Sequence, residues 1–293
     1  MNRRFVRGRL HRVAVGVLAL LLIVPAGFAA PVLAADPVPC AIPAPVSGTG
    51  RAAVETGLAT LVKAIAACET AGNWQAYSTL VTEKYLEVTY GGGNPLSRTD
   101  FMSLTTGLPI VPVRFRSFDD LKIIRPGEAR ANVKLVLANQ LIFEQWNFRE
   151  ESSHPGAWLL DASTPLTPEP PRQHDDLDLT ISGNAYSPAT LTAAQANIRV
   201  RIANSDNTDH EVLLLGLATG TTIGTLLLTA GPGLPPGFTY MAQLTVPAKA
   251  KGTLVLVNIK PGTYAMVDLL PDSSGIPYLA SGTQGTLTVS AST

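Results

Sequence analysis

The stretch AYSPATLTAAQANIRVRIANSDNTDHEVLLLGL, residues Ala185–Leu217, decides what kind of fold this chain can build. Within it Ile198, Val200 and Ile202 alternate with Arg199 and Arg201, a period of two that puts one face of an extended strand inward and the other toward water. A polar turn at Asn204–Asp209 follows, and then the apolar strand candidate Val212–Leu217. Working outward, similar short runs occur at Leu177–Ile181, Tyr240–Val246, Gly252–Ile259, Gly262–Leu269 and Gln284–Ser290. Together with Asn197–Asn204 they predict a β-sandwich of about seven strands over residues 175–293. The stretch Ala218–Phe238 lacks a period and is expected as a long surface loop, with a short apolar piece at Ile223–Leu228.

Upstream the periodicity changes. Val54, Leu58, Leu61, Ile65 and Cys68 recur at helical spacing in Arg51–Ala71, and Gly72-Asn73 stops that helix. A second helix is predicted over Trp74–Val88, and a third, short one over Ser97–Leu104 after the Gly91–Pro95 break. Strands are then expected at Val113–Phe118, Leu121–Arg125, Ala129–Leu137, Leu141–Arg149 and Trp158–Ala162. Helices followed by a strand meander make residues 51–166 an α+β domain. Pro168, Pro170 and Pro171 mark residues 167–174 as a semi-rigid linker to the sandwich.

The chain has 293 residues, of which 46% are hydrophobic and 15% charged, so an ordered core is expected throughout its body. Basic and acidic residues number 22 each, yet Arg3, Arg4, Arg7, Arg9 and Arg12 crowd the N-terminus. Removing those leaves 17 basic against 22 acidic residues, a mildly acidic body with no footprint for nucleic acid. The basic start, the apolar run Val13–Val24, the breakers Pro25 and Gly27, and the small residues Val32 and Ala34 predict a secretory signal peptide over residues 1–34. The alternative is an uncleaved anchor, the one route by which this chain would touch a membrane. Residues 35–50 form a Pro/Ala-rich lead-in. Export places Cys40 and Cys68 in an oxidising compartment, where an even count favours a disulfide; a buried Cys68 with a free Cys40 is the other reading.

Catalytic motifs are sparse. Gly91–Gly93 is not followed by the Lys-Ser/Thr of a phosphate loop, and neither a Gly-x-Ser-x-Gly elbow nor a His-Glu-x-x-His pair occurs. Two resemblances carry more. NWQAYSTLVTEKYL at Asn73–Leu86, EARANVKLVLANQLIFEQWNFREE at Glu128–Glu151 and WLLDASTPL at Trp158–Leu166 resemble the α+β cone of the ketosteroid isomerase, scytalone dehydratase and polyketide-cyclase superfamily. That resemblance implies helices over a curved sheet around a pocket, with an Asp or His acid/base facing an oxyanion donor. Tyr77, Tyr85, Tyr90, Asp100, Arg114, Glu144 and Trp146 are the candidates to reach such a pocket, although burial in the core or on the surface competes for each. The second is to the cupredoxins: Ala185–Leu217 resembles their early strands, and GTYAMVDLLPDSSGIPYLASGT at Gly262–Thr283 their final ligand loop. His210 stands at a copper-ligand position, whereas Asp268, Tyr278 and Thr283 stand where Cys, His and Met are expected.

The expectation from sequence is therefore an exported, non-catalytic binding protein: a ketosteroid isomerase-like cone with a small apolar pocket, joined to a copper-free cupredoxin-like sandwich. No cofactor is expected, and the partner would be a small apolar ligand or an extracytoplasmic protein. The alternative is an isomerase, cyclase or dehydratase acting on an apolar small molecule in the cone.

Overall fold

The structure is a computed structural model and describes residues 40–41, 43–45, 50–105, 110–151, 156–228 and 234–290. The leader, residues 1–34, lies outside the described residues. Among those described, no helix is long and apolar enough to cross a membrane.

Helix α1 (Arg51–Ala71) buries Leu58, Leu61, Val62 and Ile65 on one face. It ends at Gly72, whose φ of 63° is the left-handed conformation that closes a helix at little cost for glycine. Asn73 starts the next helix by accepting from the Ala76 N–H. The single helix expected over Trp74–Val88 is in fact two, α2 (Trp74–Thr79) and α3 (Glu83–Thr89). Between them Val81 pairs with Leu160: the Leu160 N–H donates to Leu80 O and the Thr82 N–H to Leu160 O. Backbone pairing to a buried strand outweighs continuation of the helix, and Thr82 caps the restart through its bond from the Tyr85 N–H. Helix α4 (Arg98–Thr105) completes the helical layer.

The strands β1 (Val113–Arg125), β2 (Glu128–Leu137), β3 (Gln140–Glu150) and β4 (Trp158–Pro165) form an antiparallel meander beneath these helices. The two strands predicted within Val113–Arg125 are one, carried through register irregularities on either side of Asp120, whose φ is 53°. Cys40 and Cys68 are disulfide-bonded with Cα atoms 4.6 Å apart, tying the lead-in to α1.

After residues 166–174 the chain is almost entirely β. It runs through β5 (Asp175–Ser182), β6 (Ala185–Ser187), β7 (Thr190–Ala193), β8 (Ile198–Asn204) and β9 (His210–Leu217). A short helix α5 (Gly224–Leu228) falls in the stretch expected as a loop, and β10 (Phe238–Val246), β11 (Lys251–Leu256), β12 (Gly262–Val267) and β13 (Gln284–Val289) follow. One sheet has the order β10-β9-β12-β13-β7. Opposite it, β11, β8, β5 and β6 belong to an eight-stranded sheet that continues into β3, β2 and β1. The two faces enclose a core that includes Ile198, Val200, Val212, Leu214, Leu254 and Leu287.

The junction between the halves is a wedge. The β2–β3 turn donates the Asn139 N–H to Met241 O of β10, while its Asn139 O accepts from the Val257 N–H just beyond β11. Gln140 reaches across as well, its side chain donating to Gln243 O and accepting from the Gln243 N–H. Val136, Val255 and Val257 pack behind these bonds.

Candidate functional site: a buried histidine between two carboxylates

Strand β9 lies inside its sheet with both faces covered. Val212 and Leu214 face the sandwich core, while Leu213 and Leu215 meet a second apolar cluster with Leu279. The period-two rule therefore points His210, at the head of this strand, into the sandwich end on the same face as Val212. Its imidazole is fully buried.

Both ring nitrogens have acidic neighbours. His210 Nδ1 lies 2.7 Å from Asp268 Oδ2, and Nε2 lies 3.2 Å from Asp206 Oδ2, with Thr208 Oγ1 at 3.3 Å. Asp268 follows β12 and is itself completely buried; its Oδ1 accepts from the Leu270 N–H. Asp206 sits in the turn before β9 and accepts from the Gly183 and Asn184 N–H groups. Tyr278 packs its ring 4.4 Å from the imidazole. Buried Thr283 donates its hydroxyl to Asn184 O, and its backbone N–H donates to Tyr278 O at 3.1 Å. The four positions singled out at the expected copper site thus converge in space.

Three further residues complete the cluster and were not identified from sequence. Glu211, 3% exposed, accepts at its carboxylate from the Gln243 side-chain amide. Tyr186 donates its hydroxyl to the Glu211 carbonyl. Asp206 is one acid among several in the polar turn before β9, and nothing local in the sequence sets it apart. A carboxylate leading an apolar strand, as in HEVLLLGL, was the readable signal for Glu211.

The electrostatics follow from burial. Loss of solvent pushes the Glu211 carboxyl up to about 7, opposed by the Gln243 hydrogen bond and reinforced by the Asp268 charge. Burial also raises Asp268, held back by its bond from His210 and by backbone N–H donors. Tyr186 is pushed well above the usual phenol range by burial and by both nearby carboxylates. Asp206 also feels burial, but the N–H groups of Asn184 and Gly183 and the neighbouring His210 bring it below the ordinary carboxylate value.

The sandwich is similar to auracyanins. Auracyanin B matches at 18% identity over 43% of this chain and 94% of its own, with a TM-score of 0.31. Auracyanin from the photosynthetic bacterium Roseiflexus castenholzii matches at 17% identity over 40% of this chain and 97% of its own, with a TM-score of 0.30. Auracyanin A of Chloroflexus aurantiacus, described as a blue copper protein, matches at 17% identity over 40% of this chain and 99% of its own, also at 0.30. No protein-family model and no curated protein matches the chain.

The residues present do not fit a blue-copper centre. Such a centre needs a thiolate and two imidazoles. Asp268, which stands where the sequence resemblance expects a thiolate, is bonded through its carboxylate to the His210 imidazole, and both cysteines are joined to each other in the other half of the chain. Among the described residues no cluster of three or more His, Cys, Asp or Glu side chains is arranged to hold a metal ion.

The candidates for a cone pocket do not converge in the same way. Tyr77, Tyr85 and Trp146 are buried in the core beneath the helices, and Tyr90 donates its hydroxyl to Tyr77 at 3.1 Å. Asp100 is exposed and accepts from Ser97 within the first turn of α4. Arg114 lies on the exposed side of β1, where its guanidinium donates to Ala138 O. Glu144 accepts from the Trp146 indole N–H at 2.7 Å.

Proposed function

We propose that this is an exported binding protein in which a cupredoxin-like sandwich serves as a rigid, metal-free module, while ligand contact belongs to the ketosteroid isomerase-like helical half. The observation that carries this reading is the occupation of both His210 ring nitrogens by Asp268 and Asp206 within a buried cluster. With carboxylate oxygens against both ring nitrogens the fully buried imidazole has no open side toward a metal, and a buried polar group partnered in this way stabilises one arrangement of the strand ends. The Cys40–Cys68 disulfide is consistent with an extracytoplasmic location. In the helical half, the antiparallel meander and its helical layer support the cone reading.

The test is to incubate the purified protein with copper(II) and measure absorption and bound metal. A colourless protein without stoichiometric copper is expected. Stoichiometric copper with an intense thiolate-to-copper band, abolished by His210→Ala, would return electron transfer as the leading function.

A further inference from the structure

A cleft of about 260 Å³ opens in the helical half, between α1, the α2–α3 break, the start of β4 and the segment tethered by Cys40. Its wall is largely apolar, with Pro43, Leu61, Leu80, Trp158 and Leu159, and it also carries Thr79 and Glu151. Arg98 stands on the same wall. Among the described residues its guanidinium reaches only Val81 O, at 3.5 Å, and no carboxylate. That carbonyl is available because the helix is interrupted there for the pairing with Leu160, so one local break both shapes the cleft and orients the cation.

A guanidinium without an ion pair, beside an apolar wall, is complementary to a ligand with an anionic head and a short apolar tail. The volume lies below the roughly 300–1,000 Å³ of drug-sized sites, which selects a small ligand. We propose that this cleft binds a short-chain monocarboxylate, with its tail against Leu61, Leu80 and Trp158 and its carboxylate on Arg98. The proposal rests on the binding-protein reading above and gives it a site and a ligand class. Trp158 supplies a local reporter.

The experiment is a titration of the full disulfide-bonded protein with octanoate, octanol and octylammonium, read on the Trp158 indole NMR signal, which Trp158→Phe assigns. Saturable one-to-one octanoate binding is expected, with octanol at least tenfold weaker. Arg98→Ala should weaken octanoate at least tenfold, and Arg98→Glu should reverse the preference toward octylammonium. Arg98 is exposed, so these variants are expected to fold, and unchanged thermal unfolding checks this. Equal binding of octanoate and octanol, insensitive to Arg98, would overturn the carboxylate assignment and leave an apolar binding protein. If none of the three probes moved the Trp158 signal, this site would be overturned and the broader reading would lose its support in this cleft.

Discussion

Glu211 is a carboxylate placed where a proton and one amide must stand in for water. Its carboxyl sits at about 7 in the folded chain, against 4.5 when free, so the folded state binds the proton more tightly than the unfolded state does. The sign follows: this group's contribution to stability is fully present below about pH 4.5 and is lost as pH rises through 7, a difference on the order of 3 kcal/mol. The raised Asp268 acts in the same direction. Denaturant unfolding between pH 4.5 and 8 should therefore show falling stability, and Glu211→Gln should flatten the profile; an unchanged slope would show that Glu211 is not the responsible group. The resemblance to cupredoxins pointed to His210, Asp268, Tyr278 and Thr283, because it fixes ligand positions along two stretches of the chain. It did not locate Tyr186 or Asp206, whose roles depend on the chain returning through β6 and the Asn204–His210 turn to the same sandwich end.

At the scale of elements, the strands with clean alternation were legible and those governed by partners were not. β8 reads directly from Ile198, Val200 and Ile202, whereas β6 and β7 are three and four residues long and exist through their pairing to β5 and β13. The division of α2 from α3 belongs to the same class, since nothing in WQAYSTLVTEKYLEV announces that Val81 will pair with Leu160. The β2–β3 turn has the largest consequence of these. Gln140 is 8% exposed and satisfies both the N–H and the carbonyl of Gln243, an edge residue of the opposite sheet. Gln140→Leu leaves both groups without partners, at a cost of about 1–3 kcal/mol. Hydrogen exchange should accelerate at the Gln243 and Val257 amides in this variant; protection equal to wild type would show that the wedge does not hold the two halves together.

For the whole molecule, the two halves share a sheet through the pairing of Leu256 with Gln140, in addition to the linker that composition predicts between two domains. A sequence shows where a chain is extended, but not that Asn139 and Gln140 will meet β10 and β11 a hundred residues later. The disulfide contributes a second long-range constraint. It closes a separation of 28 residues, so replacing both Cys40 and Cys68 by Ser should lower unfolding stability by roughly 3–4 kcal/mol, and unchanged stability would show that the bridge does not constrain the chain. A metal-free sandwich requires His210 to be held by carboxylates and not by a metal. NMR of the His210 ring tests this most directly: a solvent-protected, downfield Nδ1-bound proton is predicted, lost in Asp268→Asn and unmoved by equimolar copper(II). Selective paramagnetic broadening of the His210 ring signals by copper(II), with loss of that proton, would contradict it.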